Sequence, residues 1–362
     1  MNPQDKTGIL VINPGATSTK VAIFDREEAL LRDNYQHHSD EINKFPRVID
    51  QFDYRRQILE ERLSSILKGI RLLAVAGRGG PLKPLEGGTY LINQAMINDL
   101  NSIKYSDHAS NHGALLAHYF AEKLSLKAYV VDPVTVDNFT DLARLSGLPE
   151  IERKCRSHAL NIKATGRIAA EKLGKKLEDI NLIVLHLGSG FSICPLQSGK
   201  IVDVNDALLG MGPYSVNRAG AMPIGALVKL CFSGRYTENE ILKKLSGESG
   251  LQAYIGTSDM KQALTRIESG DEEAELAVEG MLYQVAKEAG ACAAVLKGKV
   301  DGVVLTGGVA HSVYVVERLR EYLSFLAPFM AIPGEFEMEA LSRGVYRVLD
   351  GKEEAKIYRQ DE

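Results

Sequence analysis

The chain has 362 residues, 45% hydrophobic and 25% charged, with a formal net charge of −4. These proportions exclude a chain dominated by disorder or collagen-like repetition, and the slight acidity gives no bulk attraction for nucleic acid. At roughly 100–200 residues per domain the length suggests two domains. The cysteines Cys155, Cys194, Cys231 and Cys292 are widely spaced with no CxxC pair, as expected of free thiols rather than disulfides or zinc ligands. The N-terminal apolar run breaks at Pro14-Gly15, too short for a signal h-region or a membrane span. The expectation is a cytoplasmic protein with no membrane and no nucleic-acid partner.

Residues 8–25, GILVINPGATSTKVAIFD, read as two strands around a turn of Pro, Gly, Ser and Thr, and a third strand follows near EEALLRDNYQ. His37 and His38 lie in a polar stretch and read as solvated surface residues. A charged amphipathic helix is predicted over 55–68, with Ile58, Leu59, Leu63, Ile66 and Leu67 on one face. LLAVAG (72–77) is a short buried strand ending in a glycine loop; 112–124 is a helix and 127–134 a strand. The second half repeats the plan. Residues 180–204 are again strand, glycine turn, strand and strand, and Asn13 of the first turn corresponds to His186 of the second, 173 residues on (186 − 13). A long helix at about 272–297 precedes a strand and glycine turn at 300–312. Duplication of this kind, with strands alternating with helices, predicts an α/β layer fold of two domains packed around a cleft.

Three β-runs end in turns of glycine and small hydroxyl residues: NPGATSTK (13–20), HLGSG (186–190) and TGG (306–308). Backbone N–H groups in such turns form anion-binding concavities, and glycine admits a phosphate without a Cβ clash. One such turn alone is equally a hairpin using glycine's positive φ; three in a duplicated chain favour phosphate. There is no GxxxxGK[ST], which excludes a P-loop protein; the lack of a GxGxxG opening a helix argues against a dinucleotide fold, and the protein-kinase set of HRD and DFG is also absent. Arg78 lies in AGRGGP just after an apolar strand, and Arg218 lies in VNRAGAMP. Ligand crevices lie beyond the carboxyl ends of strands, and a guanidinium fork suits carboxylate and phosphate alike; a surface arginine is the plain alternative for each. Asp132 ends the strand AYVVD, where a carboxylate caps the next turn or faces a cleft.

The ordered set VINPGATSTKVAIFD, GRGG, DHASN, VVDP, SHALNIKATGRIAAEKLG, LHLGSG, NRAG and TGGVA resembles the acetate and butyrate kinase family over essentially the whole chain. More distantly it is similar to sugar kinases, Hsp70 and actin. Pro14 with Thr17-Ser18-Thr19, and GRGG where acetate kinases usually show HRVVHGG, look more like butyrate kinases. The resemblance implies duplicated βββαβαβα ribonuclease-H-like domains, the actin-like ATPase fold, around a central cleft. It implies an N-terminal domain of 1–135 plus 340–362 and a C-terminal domain of 136–339. It implies ATP/ADP with Mg²⁺, a small-molecule carboxylate substrate (butyrate or isobutyrate, with acetate or propionate as the alternative) and a homo-oligomer, dimer or higher.

Carried over residue by residue, the resemblance gives Arg78 and Arg218 the substrate carboxylate and the phosphoryl group. Asp132 faces the metal or its water, and His158 and His186 stabilise the transferring group, with His108 as a third such histidine; a packed or capping histidine is the alternative for each. Asn13, Gly15, Thr17 and Ser18 form a phosphate turn. Asn13 and Glu339 lie at the metal, with Glu335 and Glu337 competing for the glutamate's place. Lys20, His186, Gly188, Ser189, Gly190, Asp259, Lys261, Gly307, Gly308 and Val309 match the ATP segments, although Asp259-Met260-Lys261 departs from the DFR usual in acetate kinases. A carboxylic acid of pKa roughly 4–5 is already ionised at neutral pH, so direct in-line transfer needs charge neutralisation rather than a general base. Gly80 stands where acetate kinases usually carry valine, and its missing side chain is expected to widen the acyl pocket. An Hsp70- or actin-like ATPase gives the paired arginines no purpose. A polyphosphatase needs a carboxylate base for water, and a sugar kinase needs one for a hydroxyl.

Overall fold

Seven successive residues of strand β1 (Lys6–Pro14), from Gly8 to Pro14, are buried. An unbroken apolar run of this kind marks a strand covered on both faces, not a half-solvated one. The computed structural model describes residues 6–67 and 69–360, apart from the side chains of 64–66. The chain divides into two units, Met1–Asp137 with Phe336–Glu362, and Asn138–Glu335.

In the first unit β1, β2 (Ser18–Asp25) and β3 (Glu28–Gln36) form an antiparallel meander. Strand β4 (Ile70–Gly77) joins the free side of β1 in parallel. Beyond β5 (Thr89–Leu91), β6 (Ala128–Val131) joins β4 in parallel. With the short β12 (Lys356–Ile357) the sheet order is β12-β5-β6-β4-β1-β2-β3. Because side chains alternate along a strand, Leu10, Ile12, Val21 and Ile23 share one face, where they pack with Leu59 and Leu63 of the helix Phe52–Ile66 and Leu116 and Phe120 of the helix Asn111–Leu124. The helix Glu337–Leu349 packs against β1, β4 and β6 and supplies a second cover.

The second unit repeats this order. β7 (Asn181–Leu187), β8 (Phe191–Gln197) and β9 (Lys200–Ile201) form the meander. β10 (Gly302–Thr306) is parallel to β7, and β11 (Phe329–Ala331) is parallel to β10. The order β11-β10-β7-β8-β9 matches β6-β4-β1-β2-β3 strand for strand and direction for direction. The chain is therefore an α/β protein of duplicated ribonuclease-H-like units, the actin-like ATPase fold. Among the described residues no helix is long and apolar enough to cross a membrane.

Two sequence expectations change. The helix predicted from residue 55 starts at Phe52; Leu59 and Leu63 are buried, while the side chain of Ile66 and residue 68 lie outside the described set. His37 is not solvated: it is only 5% exposed, and its Nε2 lies 2.8 Å from Thr19 Oγ1, whereas His38 is exposed.

One backbone contact sets how closely the helix Asn111–Leu124 approaches the end of β4. A Cβ on Gly77 would fall on the carbonyl of Gly113, and a Cβ on Gly113 would fall on that of Arg78. The end of β4 and the first turn of Asn111–Leu124 thus touch main chain to main chain, an approach that only glycine permits. Gly113→Ala is expected to destabilise the first unit by about 1–3 kcal/mol, the usual cost of overpacking, read as a lower urea midpoint; an unchanged midpoint means the contact is looser than described.

Candidate active site

Asn13 is the penultimate residue of β1, Arg78 follows β4 by one residue and Asp132 follows β6 by one residue. These three strands are parallel, so all three residues stand at the same edge of the sheet, the edge where α/β sheets bind ligands. Arg78 N–H donates to Ile12 O at 3.0 Å, which carries the β1–β4 pairing as far as the arginine itself. Glu337, in the first turn of its helix, joins two of the three. Its Oε2 accepts from Asn13 Nδ2 at 2.9 Å and from Arg78 Nη1 at 2.6 Å, and Arg78 Nη1 also reaches Asn13 Oδ1 at 3.4 Å. Arg78 Nη2 has no partner among the described residues. Glu339 does not stand beside Asn13: it pairs with Arg32 at 2.5 Å. Two residues two positions apart on a helix point about 200° apart, so only one of Glu337 and Glu339 can face the strand ends. Glu335 belongs to the other unit.

Asp132 is buried in the left-handed region at φ 40°. Its N–H donates to Gly88 O at 2.9 Å, and its Oδ1 accepts from Gly88 N–H at 2.8 Å. Part of the carboxylate is therefore spent on capping, and the strained backbone is held by that reciprocal pair. His108 Nδ1 lies 2.7 Å from Ser110 Oγ; desolvation, and then the Arg78 charge, hold its pKa below the ordinary value. Gly80 opens no acyl pocket at its own Cβ position. A side chain there would collide with the amide oxygen of Asn111 and come within 2.7 Å of its Cα. The missing side chain serves helix approach, which overturns the argument for a widened pocket.

The turn at 14–18 is braced from below by a residue that the sequence pattern did not single out. Arg55, 1% exposed, donates from Nη1 to Gly15 O (3.0 Å) and Thr19 Oγ1 (3.1 Å), and from Nη2 to Ala16 O (3.1 Å) and Gln51 Oε1 (2.8 Å). Gly15 N–H closes the turn onto Ser18 O at 2.7 Å. Among the described residues nothing accepts from the N–H of Ala16 or Thr17, and both residues are exposed. Lys20 is the register partner of Asn13 and borders a surface cavity of about 390 Å³ with Arg32, Asn34 and Met338.

In the second unit His186 and Gly307 stand at the carboxyl ends of the parallel strands β7 and β10. His186 is buried, and its Nδ1 accepts from Asn161 Nδ2 at 2.8 Å, which places the ring proton on Nε2. Burial, and then the neighbouring His158, push its pKa well below the ordinary value, so it is a neutral donor at pH 7. His158 stacks on it with ring centres 4.1 Å apart and is turned by Ser192 Oγ, 2.9 Å from its Nδ1. Asn161 and Ser192 were missed as positioning residues; Asn161 lay three residues after His158 in SHALN, one helical turn away.

Arg218 lies across the HLGSG turn. Its Nη1 donates to Ala207 O, and a Cβ on Gly190 would collide with that same nitrogen. Ser215 Oγ donates to Ser189 O at 2.9 Å and fixes the arginine's loop to the turn. Burial lowers the Arg218 pKa. Gly307 has φ 90°, and a Cβ there would strike the Leu187 carbonyl, while Gly308 faces open space. Val309 is buried in the short helix that follows. Asp259 and Lys261 are drawn into none of this within their unit: Asp259 is the N-cap of Met260–Glu268, accepting from Lys261 N–H at 2.9 Å, and both are exposed.

Residues 151–330 match the model of the acetokinase family. Among solved structures the chain is similar to an acetate kinase from Porphyromonas gingivalis, at 19% identity over 94% of this chain and 99% of that one, with a TM-score of 0.76. It is also similar to a propionate kinase from Francisella tularensis subsp. tularensis, at 19% identity over 93% and 98% with a TM-score of 0.73. An acetate kinase from Entamoeba histolytica aligns at 16% identity over 94% and 99%, again with a TM-score of 0.73. At these identities the likeness is one of fold. Fold and strand-end residues together define an actin-like ATPase-fold protein. Within that class, the similarity to the acetokinase family lies in residues 151–330.

Two buried histidines of the first unit give a pH dependence with a definite sign. Burial is the main cause, and the Arg55 charge adds to it, in pushing both His37 and His112 down to about 4; Asp107 and the Val48 carbonyl oppose the shift at His112. The unfolded residues titrate near 6.5, so below that pH the unfolded chain binds more protons and stability falls as pH drops toward 4. Thermal melts are expected to show Tm decreasing across that window, with a shallower decrease in His112→Gln. A flat profile from pH 6.5 to 4 refutes the assignment.

Proposed function

We propose that the protein is a carboxylate kinase, moving the terminal phosphoryl group of ATP onto a short-chain carboxylate to give an acyl phosphate and ADP. Butyrate or isobutyrate is the finer reading of the acceptor. The supporting observation is Arg78: Glu337 and Asn13 hold its Nη1 at the end of β4, while Nη2 is left open. That arrangement suits an anion that must be oriented rather than deprotonated.

The reaction brings an anion to a polyanion. In this reading Arg78 and Arg218 supply positive charge, and the neutral His186 offers an N–H that needs no proton uptake. The turns at 13–20, 186–190 and 306–308 offer backbone donors to the nucleotide phosphates. Asn13 Oδ1 and the Glu337 carboxylate are hard oxygen donors of the kind Mg²⁺ accepts beside substrate phosphates, and they fit as its holders. The ion would supply further neutralisation of phosphate charge. Butyrate rests on the sequence features Pro14, Thr17-Ser18-Thr19 and GRGG alone, since Gly80 adds no room. The reading includes a cytoplasmic location and a homo-oligomer. The exposed apolar helix Ile224–Cys231, with Phe232 86% exposed beside it, is where a second copy would sit.

A hydroxylamine trap with Mg²⁺-ATP and a series of acids from formate to valerate tests this reading. Hydroxamate formation peaking at four carbons supports butyrate. A peak at acetate or propionate keeps the reaction class and discards the finer reading, and ATP hydrolysis independent of any acid refutes both. Arg78→Ala and Arg218→Ala are each expected to lower kcat by about 100-fold or more, the scale of losing one preorganised donor to developing charge, with unchanged circular dichroism. Turnover near that of the parent protein removes that arginine from the chemistry.

A further inference from the structure

We propose that Arg55 is a positioning residue for anion binding at the 13–20 turn: its buried guanidinium ties the turn's carbonyls inward and holds an unbalanced positive charge beneath the exposed N–H groups of Ala16 and Thr17. The inference rests on reading that turn as a phosphate site.

Among the described residues every hydrogen-bond acceptor of Arg55 is neutral. Three are main-chain carbonyls (Gly15, Ala16 and Ser18), and the others are Thr19 Oγ1 and Gln51 Oε1, which takes bonds from both Nε and Nη2. Among the described residues no carboxylate pairs with it. Arginine is almost never fully buried without a counter-charge, because desolvating a cation costs several kcal/mol that hydrogen bonds to neutral groups recover only in part. Burial lowers the pKa of Arg55 only to about 10, so it remains a cation at neutral pH. A neutral side chain could brace a hairpin; the charge itself is of use only when an anion sits above it.

The geometry points the same way. Carbonyls drawn down onto Arg55 leave the peptide N–H groups between them directed away from it, the arrangement of an anion nest. Within this turn, Ala16 and Thr17 are the residues whose N–H groups have no acceptor among the described residues. Thr19, which accepts from Arg55, is also bonded to the buried His37, so the brace is locked from a third side.

The test uses the full chain and inorganic pyrophosphate as probe. Amide resonances of Ala16 and Thr17 are followed by NMR, with affinity measured by calorimetry, for the parent protein, Arg55→Gln and Arg55→Lys. The expected result is that pyrophosphate shifts both amides in the parent protein and binds Arg55→Gln at least about tenfold more weakly, the scale of one charge-assisted interaction. Arg55→Lys, which keeps the charge but not the fork, should fall between them. KM for ATP should rise while KM for the carboxylate stays put, a split that mere loss of stability would not produce. Equal pyrophosphate affinity in all three proteins overturns the role of Arg55 while leaving the phosphate turn standing. No amide shift in the parent protein overturns both. If Arg55→Gln does not fold, Arg55→Lys decides: affinity equal to the parent's overturns the proposal.

Discussion

Parallel pairing of β1 with β4, repeated between β7 and β10, is the constraint on which the rest depends. Parallel neighbours end at the same edge, and the chain must leave that edge through a loop before it can cross back. Asn13 and Arg78 in one sheet, and His186 and Gly307 in the other, are simply the residues at which those exits occur. The sheet thus gathers polar groups from segments 65 residues apart, and Glu337 enters from 324 residues away to bond them. Were β4 antiparallel to β1, Arg78 would lie at the opposite end of the strand.

Charge in both units is handled by the same economy of neutral partners. Asn161 fixes a neutral His186, Ser192 turns His158, Arg218 donates to the Ala207 carbonyl, and Arg55 is satisfied largely by main-chain carbonyls. Hydrogen bonds to carbonyls hold a guanidinium in place without cancelling its field, whereas a carboxylate would do both. Among these arginines and histidines Arg78 is the exception, with Glu337 against it: Nη1 is bound and Nη2 is open. A carboxylate beside an arginine also explains why the strand ends can tolerate so much positive charge before any ligand arrives.

Much of the fold was legible because duplication doubles the signal. Each half carries an apolar run, a glycine turn and a second apolar run, and the two meanders follow in the same order. Strands β5, β11 and β12, of two or three residues, are too short to leave a periodic pattern. At the strand ends, residue type and neighbouring glycines pointed to Arg78, Asp132 and His186, since little else lies at such positions. Glu337 and Glu339 could not be separated by type; only the phase of their helix does that, and Met338, Leu341 and Val345 carried that phase in the sequence. Arg55 was hidden among the charges of its helix. Yet it precedes Leu59 and Leu63 by four and eight residues and so occupies the buried stripe, where a cation is out of place. Gly80 misled for the opposite reason: an absent side chain says that something is near, and not whether that something is solvent, ligand or, as here, the main chain of Asn111.

The helix Glu337–Leu349 completes a sheet whose first strand is made more than 300 residues earlier. At a synthesis rate of ~5–20 residues per second, roughly 16–65 s separate the emergence of Asn13 from that of Glu337. Until Glu337 emerges, β1, β4 and β6 lack one of their covering helices, and Arg78 lacks its carboxylate. The second unit has all its strands in hand before the first can close. The first unit, whose first strand is made earliest, is therefore the last to be complete.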